Sequence, residues 1–119
     1  MERAVIVSTA RTPIGKAYRG AFNDTDAASL GGHAIHHALA RAKVSLDEVD
    51  DTFMGCSRPQ GSQGKNIARQ CAMAAGLPVT TPAMTVDRQC SSGMMAIGMA
   101  AKSIICLLYT SDAADEAIG

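Results

Sequence analysis

The sequence predicts an α/β fold. Three observations carry this: short β-favouring apolar runs at residues 4–7, 51–56 and 84–86, helical periodicity between them, and turn signals at their boundaries. Strands that alternate with helices are expected to join a largely parallel sheet through helical crossovers.

Ala4, Val5, Ile6 and Val7 form a continuous run closed by Arg11-Thr12-Pro13, as a buried strand entering a turn would be. Pro13 fixes its own φ, so those three residues have a structural task and no catalytic one. Residues 16–26 are polar and glycine-bearing and read as a loop, with Asp24 or Asp26 placed to cap a helix. Ala27, Leu30, Ala34, Ala38 and Ala42 then recur at helical spacing, and Ile35 and Leu39 widen the stripe. That spacing predicts an amphipathic helix over 27–43, which Gly31 and Gly32 either weaken or open to a close neighbour.

Residues 45–49 read as a turn, and Phe53 and Met54 lie in a short strand within 51–56. Gly55 either ends that strand or lets another backbone approach. Pro59, Gly61 and Gly64 make a loop, Asn66 is placed to cap a helix over 67–75, and Gly76-Leu77-Pro78 stops it. A strand at 84–86 leads to Cys90. Residues 94–105 are apolar on nearly every face, which predicts a buried helix.

Composition narrows the function. The 119 residues are 47% hydrophobic and 18% charged, enough apolar surface for one globular domain and no more. Aromatic residues are 3% and Trp is absent, so the core must come from small aliphatic side chains and Met. Formal charge is zero with no basic cluster, so no nucleic-acid partner is expected. The first apolar run is too short for a signal segment or a membrane span, so no membrane partner is expected and a cytoplasmic location is the default.

Cys56, Cys71, Cys90 and Cys106 show no zinc spacing, so neither a structural metal nor a disulfide framework is expected. His33 and His37 are four apart, but no H-E-x-x-H glutamate accompanies them. With His36 they are expected on a solvated or domain-contacting helix face, and no metal site is assigned. Cys56 and Cys71 read as packing residues.

Cys90 differs in position. The stretch Val86-Asp87-Arg88-Gln89-Cys90-Ser91-Ser92-Gly93 puts it between a strand end and a helix start. Backbone N–H groups and the positive end of a helix dipole favour a thiolate there, and the thiolate is the nucleophile. From the residues alone two readings stand: an acyl-accepting nucleophile, or the small buried hydrophobe that a free cysteine commonly is.

Four blocks resolve the choice by resemblance. AVIVSTARTPIGKAYRGAF at 4–22, GSQGKNIARQ at 61–70, AGLP at 75–78 and VDRQCSSGMMAI at 86–97 are similar, in order, to the thiolase family. RQCSSG resembles the degradative and broad-range acyltransferases more than the biosynthetic acetoacetyl type. The resemblance implies a thiolase-like αβα layered fold, of which these residues form an incomplete amino-terminal half, and it implies Cys90 as the catalytic nucleophile. It implies thiolysis of 3-ketoacyl-CoA to acyl-CoA plus acetyl-CoA, or the reverse Claisen condensation, through a cysteine acyl-enzyme. Coenzyme A and acyl-CoA thioesters would be substrates with no resident cofactor, and the whole protein a homodimer or homotetramer. The loop at 61–66 would lie near the subunit contact.

Two other readings compete: a non-catalytic thiolase-fold module that holds acyl-CoA or lipid, and a ketosynthase that uses carrier-protein thioesters. The ARTP and NIARQ blocks favour thiolase. The resemblance also implies a histidine base and a second cysteine in motifs like GHP and CxGGG, and neither occurs in these 119 residues. Bringing a thiol from pKa 8.5 to 7 needs about 2 kcal/mol, whereas a helix end typically supplies about 0.3–1 kcal/mol, up to about 2 in good partly buried geometry, and burial pushes the other way. The residues alone are therefore expected to be inactive and, with apolar faces left open, poorly stable.

The likeness covers residues 1–105. From Cys106 the chain reads CLLYTSDAADEAIG, which resembles the translation of a transposon-end sequencing adapter, so 106–119 is expected to be a non-native tail.

Overall fold

The computed structural model describes residues 3–106. The first helix, α1 (Ala27–Ala42), starts where the Asp26 carboxylate accepts from the Ser29 N–H at 2.7 Å, and ends at Lys43 in the left-handed region. Of the two candidate caps, Asp26 is the one that acts. That hydrogen bond, with Ser29 the main cause, holds the Asp26 carboxyl below the usual carboxylate range. A single 3-10 turn at Leu46–Glu48 leads to β1 (Thr52–Gly55), and a second at Gly61–Gln63 precedes α2 (Ile67–Ala75). Gly76, at φ 92°, closes α2 as its sequence position predicted. β2 (Ala83–Val86) and α3 (Ser92–Ile105) complete the described chain.

β1 and β2 are parallel, with Thr52 opposite Ala83 and Gly55 opposite Val86, and α2 makes the crossover between them. Side chains alternate across a strand, which assigns the layers. Met54 packs on the core cluster of Cys56, Ile67 and Cys71, so one face of the sheet looks at α2. Phe53 and Gly55 point the other way: Phe53 lines a cavity with Ala100 and Ile104, and Gly55 meets the start of α3. The order is therefore α3, sheet, α2, with α1 packed against α2. This is an αβα arrangement, as expected for an incomplete layered α/β fold.

Small residues set the α1–α2 spacing. A side chain at Gly31 would strike the Cys71 sulfur, and one at Gly32 would meet the Ala74 β-carbon at 2.8 Å. Of the two readings for this pair, close packing is the one realised. Ala68 and Ala72 are fully buried on the facing helix.

Three expectations are corrected. Residues 4–7 form no strand: they are unpaired, with Val5, Ile6 and Val7 more than 70% exposed. A strand needs a hydrogen-bonding neighbour, and the one sheet among the described residues consists of β1 and β2. The segment instead lies beside α3, sharing a cavity with Ile97, Ala100, Ala101 and Ile104. Second, α3 is not buried all round: Met94 and Ile97 stand in solvent while Ser92 and Ala96 are buried. It touches the sheet along one side, and its apolar composition exceeds what that side covers. Third, Asn66 takes the N-cap position of α2 as expected, but its side chain makes no capping bond. It adopts the left-handed region, donates to the Ala83 carbonyl at 3.1 Å and accepts from the Thr85 hydroxyl at 2.7 Å.

Candidate active site

Cys90 lies in the five-residue link between β2 and α3, and it is exposed. Local chemistry explains the geometry. The Asp87 carboxylate accepts from the Gln89 N–H at 3.0 Å, the two-residue reach of an Asx-turn. Gln89 then takes φ 51°, a left-handed conformation unusual for a long side chain, immediately before Cys90. The Ser91 N–H donates to the Arg88 carbonyl at 3.1 Å and the Ser92 N–H to the Gln89 carbonyl at 3.1 Å. The chain thus reverses tightly out of the strand and enters the helix.

Ser92 closes this turn from below. Its side chain is buried, donates to the Gln89 carbonyl at 2.6 Å and accepts from the Arg88 N–H at 2.8 Å. The start of α3 rests on the end of β1, where a β-carbon at residue 55 would collide with the Ser92 carbonyl carbon and the Gly93 nitrogen. Beside Cys90, Arg88, Ser91, Met94, Met95, Gly98 and Lys102 line a groove of about 430 Å³. The Arg88 guanidinium approaches the Met95 sulfur at 3.9 Å.

The other cysteines separate cleanly from Cys90. Cys56 and Cys71 are buried in the core cluster, and burial pushes the Cys71 thiol up, with Asp26 and Cys56 adding to it. Cys106 is exposed at the end of α3. His33, His36 and His37 are all exposed on α1, with the His33 and His37 rings 4.3 Å apart. No cluster of three or more metal-binding side chains occurs among the described residues. No helix among them is long and apolar enough to cross a membrane.

The family described as thiolase, N-terminal domain, matches residues 4–110. The chain belongs to the thiolase family. Among thiolase relatives, the 3-ketoacyl-CoA thiolase of Bacillus subtilis (strain 168) is 44% identical over 109 residues, which cover 92% of this chain and 28% of that protein. The mitochondrial acetyl-CoA acetyltransferase of Homo sapiens is 41% identical over 106 residues, 89% of this chain and 24% of that protein. The chain thus spans about a quarter of the length of these curated relatives.

Within this thiolase N-terminal domain, the sequence placed Cys90 between a strand end and a helix start, and Gly55 both ends β1 and meets a close backbone, so each of its two readings is realised. The sequence did not identify Gln89 or Ser92. Asp87, two residues before Gln89, was the one available signal for the turn. Residues 107–119, most of the expected tail, lie outside the described residues.

Proposed function

We propose that the protein carrying these residues is an acyltransferase that cleaves 3-ketoacyl-CoA to acyl-CoA and acetyl-CoA, or runs the reverse Claisen condensation, with Cys90 as nucleophile. The observation that carries this reading is the placement of Cys90: an exposed thiol on a tight turn at a helix start, in a family whose relatives are named as thiolases and acetyltransferases. In the first half-reaction the Cys90 thiolate attacks the 3-keto carbon and the bond between C2 and C3 breaks. The acetyl-CoA enolate leaves and takes up a proton, and the shortened acyl group stays on sulfur. In the second, the thiolate of free coenzyme A attacks that thioester and releases Cys90. The groove beside Cys90 joins methionine side chains to Arg88 and Lys102, chemistry suited to an apolar acyl chain next to anionic groups.

In this reading coenzyme A is a substrate and no resident cofactor or metal takes part. The whole protein is a homodimer or homotetramer in the cytoplasm. The 119 residues alone are inactive, since they contain neither a GHP nor a CxGGG motif to supply the base and proton shuttle. Residues 106–119 are read as a non-native tail, and native codons unrelated to an adapter in the coding DNA would overturn that.

The test is Cys90→Ala in the protein expressed from its complete reading frame. Thiolysis is expected to vanish while acyl-CoA binding persists. Retained turnover would reject the nucleophile. Binding of acyl-CoA without turnover by the unaltered protein would favour a binding module, and turnover only with carrier-protein thioesters would favour a ketosynthase.

A further inference from the structure

We propose that Ser92 is a positioning residue for Cys90: its buried hydroxyl holds the Arg88–Gln89 turn in the one conformation that presents the thiol at the mouth of α3. The inference rests on the reading of Cys90 as the nucleophile, and names the residue that sets its geometry.

A left-handed φ at a residue such as Gln89 is disfavoured and persists only where its surroundings impose it. Gln89 is itself exposed, so packing of its side chain does not impose it. Five hydrogen bonds do. Two are backbone bonds, from the Ser91 and Ser92 N–H groups to the Arg88 and Gln89 carbonyls, one comes from the Asp87 carboxylate on the exposed side, and two from the single Ser92 hydroxyl on the buried side. Ser92 uses both its hydroxyl functions on the two residues that precede Cys90, donating to one carbonyl and accepting from one N–H.

The hydroxyl is also anchored. Ser92 is 4% exposed, and its backbone is wedged against Gly55 at the end of β1. The sheet therefore fixes Ser92, Ser92 fixes the turn, and the turn fixes the direction of the Cys90 thiol. A water-exposed serine in the same place would exchange its bonds with solvent and transmit no such constraint. Ser91, the neighbouring serine, is exposed and makes no side-chain cap at the helix start. The two adjacent serines thus differ in their side chains: both backbones join the turn, and the second alone commits its hydroxyl to it.

The experiment is site-resolved iodoacetamide labelling of the chain, with each cysteine quantified by peptide mass spectrometry. Cys106 is exposed and serves as the internal reference, and buried Cys56 and Cys71 report whether the core is intact. In the unaltered chain Cys90 is expected to label faster than Cys106 while Cys56 and Cys71 stay protected. Ser92→Ala should lower the ratio of Cys90 to Cys106 labelling about five- to tenfold, the scale of a lost buried hydrogen bond, with the core cysteines still protected. Ser92→Thr, which keeps a hydroxyl, should restore most of the ratio. Gln89→Val strikes the same turn from the exposed side and should lower the ratio without touching the core, because a β-branched residue resists the left-handed region. It decides the matter if Ser92→Ala exposes Cys56 and Cys71.

An unchanged ratio in Ser92→Ala with a protected core, or in Gln89→Val, would overturn the role given to Ser92. The nucleophile reading fails by a separate result, retained thiolysis in Cys90→Ala of the protein from its complete reading frame, so the two failures are distinct. Labelling of Cys56 or Cys71 in the unaltered chain would remove the turn on which the inference stands.

Discussion

The α-carbon of Gly55 faces the Ser92 peptide so closely that no β-carbon fits between them. This contact seats the start of α3 on the end of β1, and Cys90 depends on it through two residues of backbone. Gly55→Ala must separate strand and helix by moving main chain, since the atoms it meets are backbone. Overpacking of this kind costs about 1–3 kcal/mol. Urea denaturation is expected to show that loss, with slower alkylation of Cys90. An unchanged midpoint would mean that the seat is not tight.

Thr85→Val should destabilise the chain by about 1–3 kcal/mol, because it leaves a buried donor unpaired. The Thr85 hydroxyl accepts from the Ala68 N–H at 3.0 Å, and Ala68 is fully buried at the start of α2. The same hydroxyl donates to Asn66, so one isosteric change cuts two of the ties between the start of α2 and β2 and leaves the bond from Asn66 to the Ala83 carbonyl. Thr85→Ser keeps the oxygen and should recover most of the loss in the same denaturation series.

His37 should titrate below the ordinary histidine value of 6.5, because the neighbouring His33 charge opposes its own, with burial, His36 and Arg41 acting in the same direction. The unfolded chain then takes up this proton first. The contribution to stability is complete above pH 6.5 and falls as pH drops through that value toward the folded one. His33→Gln removes the leading cause, so the His37 midpoint followed by NMR should rise toward 6.5. No movement would contradict the pairing of the two rings.

Cys71 predicts an alkaline limit. Burial raises its thiol, so the unfolded chain ionises first and stability falls above about pH 9. Cys71→Ala should flatten that decline in thermal melts recorded across the alkaline range, whatever its effect at neutral pH. Persistence of the full slope would assign it to another group.

Helix limits were legible from the sequence because their causes are local. Asp26 reaches three residues forward to Ser29, and Gly76 ends α2 through its own φ. Apolar residues three and four apart mark one face of a helix wherever it packs, so α1 and α2 fell within a residue of their expected limits. Cys90 was legible for a related reason, since a strand end and a helix start can both be read from their own signals. Asn66 was rightly placed at the start of α2, but its side chain had two possible uses, and the nearness of Thr85, nineteen residues away, decided between them.

By itself, then, the sequence determined the α/β alternation, the helix ends, the family and the position of Cys90 between a strand end and a helix start. Only the tertiary structure decided that residues 4–7 lie unpaired beside α3, that α3 keeps one face open, and that Ser92 holds the turn before Cys90. The physical reason is range. Capping and periodicity act within one turn of helix, whereas strand pairing, burial and a left-handed residue under constraint depend on which distant backbone arrives alongside.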